Sequence, residues 1–266
     1  TFKRMFKEVR IYLKNFTKNL NHPLPKIEHH EKVALLFILV KIFFLPLMIN
    51  FFFNNFFSVE EKLFEINLST FLSVDSFNSL AYPFLLSLIF LLDTLWFCFG
   101  YTFEAGFLKN KVRSVEPTFF GWAVALACYP PFTNIFAGYA SWYADDYSIF
   151  STSTFTFVAR IFVILFLLIY LFATFALGTK CSNLTNRGIV SRGPYRFIRH
   201  PAYISKNLAW WITLIPAMSW FAFLSMLSWT GIYFLRAITE ERHLIKDPDY
   251  QEYCKKVKYR FIPWIY

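Results

Sequence analysis

Runs of about twenty apolar residues alternate along this chain with shorter segments rich in lysine, arginine and acids. Twenty helical residues reach about 30 Å, the thickness of a hydrocarbon core. The runs predict helices over about 33–53, 77–100, 119–140 and 155–178, with a longer apolar stretch at about 207–236. Pro130-Pro131 must kink or end the third of these. The last stretch would run about 45 Å as one helix, too long for a single crossing. Pro216 near its middle, followed by Met218-Ser219, predicts a helical hairpin that crosses and returns. The expectation is an all-α polytopic membrane bundle of about six transmembrane helices, ending in that hairpin.

The polar segments orient the runs. Residues 1–32 carry Lys3, Arg4, Lys7 and Arg10 among Phe2, Met5, Phe6, Val9, Leu13 and Phe16 at helical spacing. This predicts a basic amphipathic helix on an anionic membrane face. The segment 54–76 has Lys62 as its one basic residue against four acids, and 141–154 has Asp145 and Asp146 with no base. In contrast, 101–118 has Lys109, Lys111 and Arg113, and the segment 179–206 has six basic residues. Basic segments face the cytoplasm, so both termini, 101–118 and 179–206 are expected there. The division is then 1–32 interfacial, 33–178 the first four helices, and 179–266 a C-terminal region built around the hairpin.

Composition narrows the class. The chain is 56% hydrophobic with 36 phenylalanines, too apolar for the long polar faces of a soluble domain of 266 residues. The net charge of +10 sits between apolar runs rather than in one stripe, which favours topology and anionic lipid over nucleic acid. Cys98, Cys128, Cys181 and Cys254 are far apart and suggest neither zinc nor a disulfide framework. His22, His29 and His30 with Glu28 and Glu31 lack the spacing of helix-borne metal ligands, so no metal is expected. Asp93 falls within the second run, where a carboxylate needs a partner. It either hydrogen-bonds a neighbouring helix or serves function. Arg160 lies near enough to one end of its helix to snorkel.

Two constellations carry candidate chemistry. The first is 186–204, a segment with Gly188 and Gly193, the arginines Arg187, Arg192, Arg196 and Arg199, and then His200-Pro201-Ala202-Tyr203. Such a cation density at a membrane calls for water, lipid headgroups or a bound anion, and a plain topogenic loop would satisfy the same pattern. The second is 236–245, where Arg236 and Glu240 are four apart and share a helix face, with Glu241 on a neighbouring one. They form either a surface ion pair or a carboxylate that faces 186–204 across the hairpin.

The phrase Gly193-Pro194-Tyr195, then Arg199-His200-Pro201-Ala202-Tyr203, then Glu240-Glu241 and Leu244, then Tyr250 and Tyr253 resembles the isoprenylcysteine carboxyl methyltransferase and phospholipid methyltransferase superfamily. The resemblance covers about 180–266. It implies S-adenosylmethionine as cofactor, bound in cytosolic segments under the C-terminal helices, and a lipidic or prenylated acceptor arriving from the bilayer. It also implies that Tyr195, His200, Pro201 and Tyr203 line the cofactor pocket, that Arg187, Gly188, Ile189 and Val190 run along the adenosine, and that Glu240 completes the site. Arg236 would meet the acceptor's carboxylate. Ser205-Lys206, where a small residue is common two positions after the tyrosine, and Lys180 depart from the family pattern and bear on the acceptor.

Methyl transfer is an in-line displacement in which positioning supplies much of the rate. A carboxylate and aromatic faces suit a sulfonium, and a guanidinium suits an anionic acceptor. His200 could orient the cofactor or take a proton, the former being favoured. The expected activity is methylation of a lipid-like or prenylated acceptor, with carboxylate O-methylation favoured over N-methylation. Two rivals remain. One is an NADPH-dependent sterol or isoprenoid reductase, whose termini Tyr253 to Tyr266 resemble but whose asparagine before the motif tyrosine is replaced by Pro201-Ala202. The other is a non-catalytic subunit whose Phe-laden exterior packs on partner proteins in the membrane.

Overall fold

The computed structural model describes residues 28–263 together with Lys7 and Arg10. The expected amphipathic segment 1–32 therefore lies outside the described residues except for Lys7, Arg10 and residues 28–32, as do the aromatics Trp264 and Tyr266. Helix α1 spans His29–Leu63 and opens with a capping box in which the Glu28 amide donates to the Glu31 carboxylate at 3.0 Å. It runs ten residues past the apolar boundary expected at 53. Asn55 does not break it, because its side-chain amide bonds back to the Phe51 carbonyl at 2.7 Å. Short turns at Leu68–Leu72 and Val74–Ser76 and a π-helical turn at Phe77–Ala81 lead into α2, Tyr82–Thr102.

Phe37, Val40, Phe44 and Met48 recur at helical spacing on α1 and pack against Tyr101 of α2. Phe44 stacks on Tyr101 at 6.0 Å between centroids. On its other side α2 buries Leu86 and Ile89 against Val163, Leu167 and Leu171 of α5, Ser153–Leu177. Asp93 sits in that seam, taking hydrogen bonds from Tyr170 at 2.7 Å and Thr174 at 2.6 Å. The structural option for Asp93 is thus realised. Arg160 does not snorkel. It is 7% exposed, donates to the Asn78 and Tyr147 carbonyls, and lies over the Tyr82 ring at 4.5 Å.

The run expected at 119–140 is two short helices, α3 (Phe119–Ala127) and α4 (Phe132–Ala137), separated at Pro130-Pro131. Nine residues reach only about 14 Å, so neither piece crosses a hydrocarbon core alone. The stretch 207–236 is divided unevenly. Helix α6, Pro201–Leu214, starts on a proline at its first position, turns through Ile215–Ala217, and meets α7, Trp220–Leu244, which Ser219 caps. Helix α8, Pro248–Lys256, follows. Among the described residues, four helices are long and apolar enough to cross a membrane, within His29–Leu63, Val74–Thr102, Ser153–Lys180 and Trp220–Leu244, against the expectation of about six. The fold is mostly helical and multi-pass, and α5 shows lipid-facing character in exposed Phe155, Phe162, Leu165 and Phe172.

One departure from all-α positions the site. Strands β1 (Ser114–Val115) and β2 (Thr185–Asn186) pair antiparallel, tying the segment before α3 to the segment after α5. The second tie is the close approach of Gly100 to that same segment, where an added Cβ would lie 2.0 Å from the Cys181 carbonyl oxygen. Gly100→Ala should therefore destabilise the protein by about 1–3 kcal/mol despite alanine's better helix propensity. Gly106→Ala, where nothing lies within 4 Å, should leave the melting temperature in detergent close to that of the parent. Equal melting temperatures for the two variants would contradict this packing.

Candidate functional site

The segment between α5 and α6 is shaped by its polar side chains. Asn186 donates to Asp247 at 2.7 Å and accepts from the Gly188 amide at 2.8 Å. Gly188 has φ +91, and a Cβ there would come within 3.2 Å of the Arg113 and Lys180 side chains. Both the backbone conformation and the space require glycine. Arg113 clamps Asp247 at 2.9 Å and Asp249 at 2.5 Å, joining β1 to the start of α8. Burial pushes the Asp247 carboxyl up, but hydrogen bonds from Asn186 and Arg113 outweigh it and hold the group below its ordinary range. Arg187 points elsewhere. Its guanidinium donates to the Asn110 carbonyl at 3.0 Å and lies over Phe37 at 4.9 Å, and burial pushes its pKa down.

Next along the chain, the Arg199 and His200 amides donate to the Tyr259 and Arg260 carbonyls at 2.9 Å, folding the C-terminal segment over the start of α6. Glu241 on α7 then gathers three cationic or protonatable side chains. His200 Nε2 lies 3.0 Å from one of its oxygens, and Arg199 and Arg260 reach the other at 3.1 Å and 2.9 Å. The His200 ring stacks on Tyr203, 5.5 Å between centroids and 8° between planes. One ring nitrogen of His200 is thus engaged by Glu241.

One residue earlier, Glu240 faces a different way. It accepts from the Tyr203 hydroxyl at 2.7 Å, and no basic side chain among the described residues lies within ion-pair distance. Arg236, one turn further into α7, is 8% exposed and equally without a carboxylate partner among the described residues. Its guanidinium is held by the Asn183 side chain and lies over Tyr203 at 5.2 Å and Tyr129 at 5.3 Å. Asn183 is itself fixed by the Tyr101 hydroxyl, which accepts from its amide at 2.7 Å and its side chain at 2.9 Å. Thus α2 supports the arginine through one intermediary.

Two adjoining cavities result. The outer, of about 100 Å³, is lined by Gly188, Ile189 and Val190 with Tyr250 and Tyr253 from α8. The inner, of about 130 Å³, is lined by Tyr129, Tyr170, Tyr203, Lys206 and Arg236. Tyr195, His200 and Glu240 stand in the wall common to both.

Residues 155–247 match the phospholipid methyltransferase family. No curated protein matches the chain. The methyltransferase-like domain so marked begins earlier than the motif resemblance, taking in nearly all of α5, and stops three residues after α7. The walls of both cavities come largely from it, while Tyr129, Tyr250 and Tyr253 are supplied from outside its limits.

Of the residues singled out in the sequence, Gly188, Ile189, Val190, Tyr195, His200 and Glu240 meet at the outer cavity, and Tyr203 and Arg236 at the inner. Arg187 contributes to the outer wall although its guanidinium is committed to Asn110 and Phe37. Pro201 lines neither cavity. It is fully buried at the first position of α6, where its missing N–H costs nothing. Sequence reasoning missed Asn183, Tyr129 and the hub role of Glu241. Asn183 carried a faint signal, as a polar residue at the exit of a membrane helix, but Tyr129 looked like one aromatic among many.

Two measurements check this geometry. Glu241→Gln removes the anion shared by three partners and should cost up to about 3 kcal/mol, seen as a lowered melting temperature, whereas Glu240→Gln should leave stability within about 0.5 kcal/mol. The Asp247 carboxyl is depressed in the folded state, so its contribution is complete above the ordinary carboxylate pKa of about 4 and is lost as pH falls through the folded value. Melting temperature should therefore drop more steeply below about pH 4 in the parent than in Asp247→Asn. Parallel curves would remove the clamp from the argument.

Proposed function

We propose that the chain is an S-adenosylmethionine-dependent methyltransferase acting on a lipid-like or prenylated acceptor at the cytosolic face of its membrane. The observation that carries this reading is the pair of unneutralised groups in adjoining cavities. Among the described residues Glu240, a carboxylate with no cation in ion-pair contact, lies in the common wall, and Arg236, a guanidinium with no carboxylate partner, lies just inside. A cationic cofactor and an anionic acceptor would complement them in that order. The match to the phospholipid methyltransferase family supports the same chemistry.

The donor set fits the cofactor. Glu240, with the rings of Tyr195, Tyr203 and His200, offers a carboxylate and π faces to a sulfonium. The backbone of 188–190 and the tyrosines of α8 offer a flat-walled outer cavity for an adenosine. Bound there, S-adenosylmethionine supplies an activated methyl group. The chain's own work is positional. Tyr203 and Glu241 fix the Glu240 and His200 side chains, and Asn183 fixes Arg236, so the two reactants are held with little freedom left to lose. Arg236 is suited to pin a carboxylate oxygen in line, which favours O-methylation. The basic segments 101–118 and 179–206 and the basic tail support a cytosolic placement of these cavities and of both termini.

Titration of the detergent-solubilised protein with S-adenosylhomocysteine should raise its melting temperature with the logarithm of ligand concentration. Glu240→Gln should weaken that binding at least tenfold while folding normally. A shift with NADPH alone would favour a reductase, and no shift with either ligand would leave a non-catalytic subunit.

A further inference from the structure

Lys206 lines the inner cavity at a position where the sequence departs from the family pattern, and a lysine is an unusual residue to find there. On α6, His200, Tyr203, Lys206 and Trp210 follow one another down a single face from the polar end of the helix inward. On α7, Glu240 and Arg236 descend in parallel. His200, Tyr203 and Lys206 of the first row and both residues of the second line the inner cavity, where Arg199 is paired with Glu241 and Lys206 and Arg236 have no such partner among the described residues. The Lys206 ammonium lies 5.0 Å from the Tyr170 ring, 5.3 Å from Trp210 and 5.4 Å from Phe90. It has no carboxylate within ion-pair distance among the described residues; Asp93, which accepts from the neutral Tyr170 and Thr174 hydroxyls, and Asp146 act on it only at longer range. Aromatic faces lower the cost of such a cation in a membrane helix without neutralising it.

We propose that Lys206 and Arg236 together form a two-cation seat for the acceptor's headgroup, and that Lys206 selects acceptors bearing an anionic carboxylate or phosphate and rejects those bearing an ammonium. This deepens the methyltransferase reading and rests on it only in calling the ligand an acceptor. The physical ground is that two cations without a carboxylate in ion-pair contact among the described residues, sharing one cavity, attract an anion and repel a third cation.

The test uses ligands of one tail length: palmitate, hexadecyl phosphate, methyl palmitate and hexadecylamine. Each is titrated against the full chain in nanodiscs of neutral lipid, with binding read from tryptophan fluorescence, since Trp210 adjoins Lys206. One of the two anions should bind at least tenfold more tightly than the methyl ester, and the amine more weakly still. Whichever anion binds better identifies the headgroup as carboxylate or phosphate. Lys206→Met should reduce the preference of anion over ester below threefold, and Lys206→Arg should retain it. Equal binding of anions and ester by the parent, which needs no variant to fold, would overturn the proposal. An undiminished preference in Lys206→Met would overturn it as well. S-adenosylhomocysteine binding is measured on the same samples and should change less than twofold in Lys206→Met. Its absence from the parent would sink the methyltransferase reading while leaving charge selection to be judged by the amphiphiles.

Discussion

The carboxylate of Glu241 is the point on which three separated parts of the chain converge. Arg199 and His200 come from the entrance to α6, Glu241 from the end of α7, and Arg260 from the C-terminal segment. Alone, the polar side chains of Arg199, His200 and Arg260 would each be costly to hold, at 13%, 5% and 30% side-chain exposure. Grouped on one anion they form charge-assisted hydrogen bonds, which are stronger than neutral ones. The consequence for the cavities is geometric. With His200 fixed at its ring nitrogen, its face is presented to Tyr203, and Tyr203 in turn presents its hydroxyl to Glu240.

Neighbouring positions on α7 therefore do opposite work. Successive residues of a helix point about 100° apart, so Glu240 and Glu241 cannot serve the same partner. Glu241 spends its charge on structure, and that leaves Glu240 free of the arginines. The same division holds one turn down, where Arg236 is steadied by a neutral amide and two rings rather than by an acid. A neutral support positions a guanidinium without cancelling its charge.

Much of this was legible in the chain. Apolar runs of membrane length located α1, α2, α5 and α7, because hydrocarbon demands length and internal backbone pairing from any helix that crosses it. The motif 193–203 and the pair 240–241 located the cavity walls. What could not be read is instructive. The continuation of α1 to Leu63 depends on Asn55 bonding to its own helix, where composition suggested a break. Pro130-Pro131 divides the run at 119–140, as expected, but composition did not show that the two pieces are each too short to cross. The β1–β2 pairing involves two residues on each side, too few to leave an alternating pattern. Above all, Glu240 and Glu241 are identical in sequence terms, and only packing tells the hub from the ligand group.

Membrane depth explains why the charged groups of the two cavities lie where they do. A helix that leaves the bilayer passes from a region where an unpaired charge is prohibitive to one where it is ordinary. Glu240, at the polar end of α7, is exposed and, among the described residues, accepts only the Tyr203 hydroxyl. Arg236, one turn deeper, needs support and receives it from Asn183 and two tyrosines. Lys206 stands at a comparable depth on α6 and receives only ring faces. Where support is weaker the benefit of an added anion is larger, since attraction rises as water is excluded. A headgroup entering from the lipid side would meet its strongest complement before reaching Glu240. The order of charges along the two helices thus sets the order in which a ligand's own charges must be arranged.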